Sequence, residues 1–595
     1  MAKFQIPSED KLFIQSNKSD VFGNLFATWN LDFNVNPGKV RVSNGLTILS
    51  SSVDDVDLGL PYAFVRSSAD GTDRWWAACG AVLFKNTNTS SISSAFTQDE
   101  IGSSPTTLLV AQSDIIDFNG ALIVTLNTEI ARLSTTWNAV WWGTTLVQTA
   151  LTTGVPHPLN VTKKTNYLCI GDANKMHTVD KNSNARASRV ILPTEFEIIW
   201  IRSGQTETWI GARNKFTQEA EVFYWDEYAE NYNRSYRLKH PVTFAGVIKD
   251  EVPYTVNGLG QLLKFTGNGF DEVAVFPVYG QANSDLRDGN TPRRNIHRNG
   301  MTVSEDVVHI NIFSEVNSAL ASFLPRFPSG VWTYDEKQGL RHKYGISQYD
   351  TGDASELDYG AMRLGTTGAI VATQPNDGLF LIGNTVPTSA TATMTAISYV
   401  QEQQGLNNRG HFISSIFESS AFEDIYKDIL LTFKRFKNSG DRIIIKYRAI
   451  KNPNYPIILT GTWSDTNTFT TTTAALGSLA NMAVGDEVMI IRGRGAGATA
   501  HISAVSEAGG TYTVDLDEII NANLSGTFHA VVQEYKKAAV ISTQSIERQS
   551  FNLDIPGTFI QLKIELRTAP GGTALKGDSP ELEKVVVNSS PEETI

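Results

Sequence analysis

The sequence predicts an all-β protein: a β-propeller of six or seven blades, followed by a β-sandwich that carries a small β-barrel-like insert. Three observations predict this. Apolar and polar residues alternate in segment after segment, the mark of half-buried strands. Turn pairs suited to positive φ punctuate those segments, at Asn119–Gly120, Asn257–Gly258, Asp377–Gly378 and Gly509–Gly510. A weak repeat of blade size runs through the first two-thirds of the chain.

The repeat sets the propeller. "WWAACGAVLFK", "IIDFNGALIVTL", "NYLCIGDANKMHTV", "TETWIGARNKF" and "VNGLGQLLKF" each carry an apolar lead-in, a glycine and mostly further apolar residues. The glycines are Gly80, Gly120, Gly171, Gly211 and Gly260, with spacings of 40, 51, 40 and 49 residues. Four-stranded blades repeat every ~40–50 residues. Ten of the eleven tryptophans lie at or before Trp332, and large rings suit the wedge between radially packed sheets. An N-terminal arm is expected over 1–22 and the propeller over 23–405, closed by a strand around "VRVSN" (40–44) pairing into the last blade.

After about residue 405 the composition shifts. "SYVQEQQGLNNRG" (398–410) reads as a linker. A sandwich is expected over 406–459 and 534–595. In "FIQLKIELR" (559–567), Ile560, Leu562, Ile564 and Leu566 face one way, and Gln561, Lys563, Glu565 and Arg567 the other. "FEDIYKDILLTFKRF" (422–436) has apolar residues at both helical and strand spacing. A strand is favoured, because "RIIIKYRAI" (442–450) follows a turn and is placed to pair with it. A short helix is expected within 315–324. The Thr-, Gly- and Ala-rich stretch 460–533 is the barrel-like insert.

Composition bounds the function. Among 595 residues, 41% are hydrophobic and 19% charged, with a formal net charge of −12. Sequence-specific nucleic-acid binding is not expected, because phosphate affinity comes from clustered Lys and Arg. The basic stretch 427–451 reads as a solvated strand face. Two cysteines, Cys79 and Cys169, make no disulfide framework. The N-terminus lacks a charged segment followed by an apolar core, so no signal peptide is expected. No run of eighteen apolar residues predicts a membrane span.

The motif search returns no catalytic, cofactor-binding or metal-binding residue. "IIRGRGAGATAHI" (490–502) looks like a phosphate loop, with Arg492 and Arg494 among Gly493, Gly495 and Gly497. Its spacing fits neither a dinucleotide fingerprint nor a P-loop, and strands flank it on both sides. It is expected to be a hairpin turn. The nine histidines (157, 177, 240, 297, 309, 342, 411, 501 and 529) show no metal-ligand spacing, and there is no G-x-S-x-G elbow. A glycosidase needs two carboxylates, for which Asp226, Glu227, Asp350, Asp353, Glu356 and Asp358 are the candidates. "SADGTDRWW" (68–76) approaches a sialidase-type turn through Ser68, Asp70 and Trp75, with Gly71 one place early and Arg74 where the motif has threonine. Trp141, Trp142 and Tyr224 are the aromatics considered for stacking on a glycan.

Longer phrases carry a resemblance. "NLFATWNLDFNVNPGKVRVSNGL", "DLGLPYAF", "WWAACGAVLFKN", "SGVWTYDEKQGLRHKYGIS", "IIIKYRAIKNPNYP", "GTWSDTNTF", "VGDEVMIIRGRGAGATAHISAVS" and "IQLKIELRT" with "SPELEKVVV" together resemble tail-associated structural proteins of tailed-bacteriophage virions. In those a β-propeller is joined to a C-terminal β-sandwich. The resemblance implies a non-enzymatic part of the tail (distal tail, nozzle-like or fibre-base), assembled in the host cytoplasm. It implies other virion tail proteins as partners and a homo-oligomeric state. The alternative expectations are a receptor- or carbohydrate-binding tail protein that takes a host surface glycan and, behind it, a propeller glycosidase.

Overall fold

The computed structural model describes residues 2–6, 25–29, 31–33, 39–42, 46–48, 61–79, 82–86, 96–99, 101, 113–142, 150–276, 294–304, 306–314, 330–345, 370–372, 380–387, 393–400, 409–418, 424–449, 454–492, 499–518, 526–557, 559–568 and 579–591. Seven antiparallel sheets in chain order form a ring. Their first strands begin at residues 61, 115, 159, 196, 243, 294 and 370. Each first strand touches that of the next sheet, and the seventh touches the first. These are the inner strands of a closed seven-bladed propeller.

The ring is closed by Leu46–Ile48, which pairs with Thr393–Val400 as the fourth strand of blade 7. Closure was expected slightly earlier, at 40–44. Instead Arg41–Val42 pairs with Leu31–Asp32, and Val40 bridges to Leu582 of the sandwich. The start expected at residue 23 also needs correction, because Leu25–Trp29 pairs with Arg409–Ser414 in a sandwich sheet. The arm expected over 1–22 contributes Ala2–Ile6, which pairs with Leu582–Pro591. These short strands are edge strands of the two sandwich sheets.

Tryptophans fill the wedges between blades, as their clustering predicts. Trp76, Trp200, Trp225 and Trp332 are all fully buried. Trp200 lies between Gly211 of its own blade and Gly246 of the next. A Cβ on Gly211 would stand 2.0 Å from the Trp200 ring, and one on Gly246 at 2.6 Å. The repeat glycines are not equivalent positions, however. Gly171 and Gly211 lie within strands, whereas Gly120 and Gly260 take positive φ in turns.

The sandwich has two sheets. One orders Ala2–Ile6, Leu582–Pro591, Asp424–Phe433 and Arg548–Gly557. The other orders Leu25–Trp29, Arg409–Ser414, Phe559–Arg567, Arg442–Arg448 and Lys536–Ile541, with Phe417–Glu418 beside Phe559–Arg567. Within 422–436, Asp424–Phe433 is therefore a strand, but it does not pair with Arg442–Arg448. Both sides of Asp424–Phe433 are taken, by Arg548–Gly557 and Leu582–Pro591. The chain between crosses to the opposite sheet, so Ile429, Leu431 and Phe433 meet Ile443 and Ile445 across the core. The helix expected within 315–324 lies outside the described residues.

Between the last two strands of the second sheet, six antiparallel strands close a barrel. Their order is Ile457–Trp463, Thr468–Leu476, Thr511–Leu516, Thr499–Ala508, Glu487–Arg492 and Gly526–Gln533. Its core stacks Trp463 on Phe528 at 4.3 Å. Gly461 leaves room for that ring, since a Cβ there would lie 2.4 Å from Phe528. One apolar cluster runs through blades 5 and 6 into Ile413 of the sandwich and Met489 of the barrel. The three modules share packed surfaces.

Candidate functional site

The concavity of a propeller is its central channel. In this chain the channel is bridged by side chains. The inner strand of blade 6 is split into Arg294–Asn295 and Met301–Ser304, both paired with Val307–Ser314. Residues 296–300 bulge between them. Gly300 donates to the His297 carbonyl at 2.7 Å, and a Cβ there would meet that oxygen at 2.9 Å. Bulges re-aim side chains, and this one delivers Arg298 and Asn299.

Arg298 donates to the Ser113 carbonyl on blade 2 and stands 3.8 Å from Asp114. Asn299 donates to Asp114 at 2.8 Å. Asp114 also accepts the Leu159 amide of blade 3 at 3.0 Å. From blade 4, Arg202 donates to the Arg298 carbonyl at 2.8 Å, to Asn299 at 3.0 Å and to the Gly246 carbonyl of blade 5 at 3.0 Å. Blades 2 and 6 are not neighbours in a seven-membered ring, so their contact crosses the axis. Asp114 and Arg298 are 3% and 5% exposed. Burial, then the charges of Arg298 and Arg202, push His297 well below the ordinary imidazole range. It sits here as a neutral ring.

A second buried constellation joins sandwich to barrel. Lys446 and Lys563 face each other on adjacent sandwich strands. Both contact Glu487 of the barrel, Lys446 at 2.6 Å and Lys563 closely. Lys446 also lies 3.0 Å from Glu565. Thr499 of the barrel accepts from Lys446 at 3.0 Å and donates to Glu565 at 2.8 Å. Arg567 donates to Glu565 at 2.6 Å and pairs with Glu518. Three cations thus meet three carboxylates. Lys446, Lys563, Glu487 and Glu565 are all at most 1% exposed. Burial alone would raise the Glu487 carboxyl, but Lys446 and Lys563 overcome it and hold the group at about 2. Nearby His501 is pushed to about 4, chiefly by burial and then by Lys446.

The residues singled out in the sequence are mostly structural. Asp70 accepts the Thr72 amide at 3.1 Å and pairs with Arg74 at 3.1 Å, tying the blade 1 turn to itself. Asp226 accepts the amides of Tyr228 and Ala229 at 2.9 and 2.8 Å. Glu227 is fully buried. It accepts from the Thr165 amide and hydroxyl of blade 3 at 3.0 and 2.9 Å, and from Thr208 of its own blade at 3.0 Å. As an interblade staple it has no face open to a sugar. Trp141 is 3% exposed, contrary to a stacking role, and Tyr224 lies half-buried against Trp209 at 5.2 Å. The side chains of Trp142 and Cys79, and residues Asp350, Asp353, Glu356 and Asp358, lie outside the described residues.

Cys169 is fully buried and its thiol is pushed far up by burial. The glycine loop joins Glu487–Arg492 to Thr499–Ala508, which pair antiparallel. It is a barrel hairpin, although its glycines and Arg494 lie outside the described residues. Among the described residues no group of three or more His, Cys, Asp or Glu could hold a metal, and no helix is long and apolar enough to cross a membrane. What the sequence left unmarked is the axial bridge and the charged seam. Gly300 in "HRNGM" was the one clue to the bulge.

No protein-family model and no curated protein matches the chain. Among solved structures it is similar to BBS1N in complex with ARL6DN, at 11% identity over 60% of this chain and 98% of that one, TM-score 0.35. It is similar to the β-propeller domain of Myceliophteria thermophila Cps50 (Swd1), at 6% identity over 55% and 94%, TM-score 0.33. It is also similar to the computationally designed Ika8 protein, at 9% identity over 59% and 98%, TM-score 0.32. Likenesses this slight carry no argument, and the architecture rests on the strand pairings above.

Proposed function

We propose that this chain is a non-enzymatic structural component of a bacteriophage tail, a distal-tail, nozzle-like or fibre-base part. It assembles through protein–protein contacts, as a homo-oligomer alongside other tail proteins. The tail assignment rests on the sequence resemblance. The scaffold reading is supported by one observation above all, the bridge of Arg298, Asn299, Asp114 and Arg202 across the propeller axis. Where a propeller has its natural concavity, this one spends its polar groups on itself. The charged seam between sandwich and barrel supports the same reading, because its buried ion pairs fasten the two modules to each other.

The test is to purify the particle, identify this chain by peptide mass spectrometry and locate it by electron microscopy. A fixed, symmetric copy number on the tail axis is the expected result. Absence from particles would reject the proposal. In parallel, the purified chain is expected to leave host surface polysaccharide uncut, and depolymerisation would return a glycosidase to the front.

A further inference from the structure

A cleft of about 370 Å³ opens where the sandwich meets the barrel, within the range of small-molecule sites. Tyr447 and Arg448, at the end of a sandwich strand, form one wall. Tyr455 and Asp486 of the barrel form the other, and Glu534 and Lys536 lie on the segment returning to the sandwich. The walls are held in place before any ligand arrives. Tyr455 donates its hydroxyl to the Asn481 carbonyl at 2.8 Å and contacts Asp486, while Lys536 pairs with Asp486 at 2.5 Å. Arg448 donates to Gln561 at 2.7 Å and lies 3.8 Å from Glu534. The polar end of Tyr455 is thus turned into the barrel, leaving its ring as apolar wall.

The charge balance selects the ligand. Arg448 and Lys536 offset Asp486 and Glu534, so the cleft is electroneutral yet dense in donors and acceptors. A polyanion finds no surplus positive charge here. A purely apolar ligand would strip water from Arg448, Lys536 and Glu534 and return no hydrogen bonds. A neutral polyol meets both demands, since its hydroxyls donate to Glu534 and accept from Arg448 and Lys536. The carbon face of a sugar ring can lie on an aromatic wall.

We propose that this cleft is a binding site for a neutral saccharide. The site goes beyond the scaffold reading and does not depend on it, because it is tested on the isolated full-length chain.

The experiment is saturation-transfer NMR with glucose, galactose, N-acetylglucosamine and their disaccharides, with glucuronate and sialic acid as charged comparators. Transfer to at least one neutral sugar is expected. Glu534→Gln is near-isosteric and removes one charge-assisted acceptor, so it should weaken binding roughly tenfold. Ala483 lines the cleft and is exposed, so Ala483→Trp puts a large ring into the cavity and should abolish the transfer. Melting curves that overlay wild type establish that both variants fold. Silence from every neutral sugar at millimolar concentration overturns the proposal. So does transfer that survives both substitutions, and so does preference for the charged sugars.

Discussion

Glu487 shows how much depends on one carboxylate in this protein. It faces two ammonium groups with its side chain fully buried, and its removal strips Lys563 of its close partner and leaves Lys446 only Glu565. Breaking a buried pair costs ~3–5 kcal/mol, because the orphaned charge stays desolvated. Glu487→Gln is expected to lower the unfolding free energy from guanidinium titration by that amount, with the midpoint falling accordingly, and adding Lys563→Met should recover part of the loss. An unchanged midpoint in the single variant would mean that water already reaches the seam. The same neighbourhood marks the limit of sequence reading. The alternation of Gln561, Lys563, Glu565 and Arg567 against four apolar partners correctly announces a strand. It also suggests that the polar row faces solvent. All four polar side chains are instead buried beneath the barrel, because polarity records which face a residue takes and not what later docks on it.

Among elements, the broken inner strand of blade 6 is the most consequential. Its bulge reaches blade 2 and blade 4 across the axis, linking parts of the ring that share no strand pairing. Arg298→Ala removes the buried cation beside Asp114 and should cost about 3 kcal/mol. Hydrogen exchange gives the sharper readout. Protection in blades 2 and 6 should fall together while the barrel strands keep theirs, and loss confined to blade 6 would mean that the bridge carries no coupling. Little of this was legible. Blade size, turn pairs and tryptophan clustering follow from local physics, and they led to the right architecture. Strand partners farther apart did not, since nothing near 422–436 says that both its sides will be taken by strands from residues 548–591.

For the whole molecule, the buried groups that titrate below neutrality with the largest shifts point one way. Burial holds His309 at about 3 and His501 at about 4. The unfolded chain therefore takes up those protons first, and stability falls as pH drops from 6.5 toward those values. Glu487, at about 2 in the fold against an ordinary 4.5, contributes fully above pH 4.5 and loses that contribution below it. Each group is worth roughly 3–5 kcal/mol once fully titrated. Melting temperature should thus hold steady between about pH 6.5 and 8 and decline progressively in acid. A melting temperature that stays flat down to pH 4 would show that these groups are hydrated in solution.

The pairing of the chain's first strands with its last also fixes when the molecule can exist. Ala2–Ile6 waits for Leu582–Pro591, Leu25–Trp29 for Arg409–Ser414, and Leu46–Ile48 for Thr393–Val400. A ribosome adding about 5–20 residues per second needs roughly half a minute to two minutes to make the outermost partner. Throughout that interval the leading segment has no sheet to join. The first sheet of the sandwich therefore cannot be completed before Leu582–Pro591 is made, and a ribosome that stops short of that strand releases a chain whose ring can close but whose sandwich still lacks its hem.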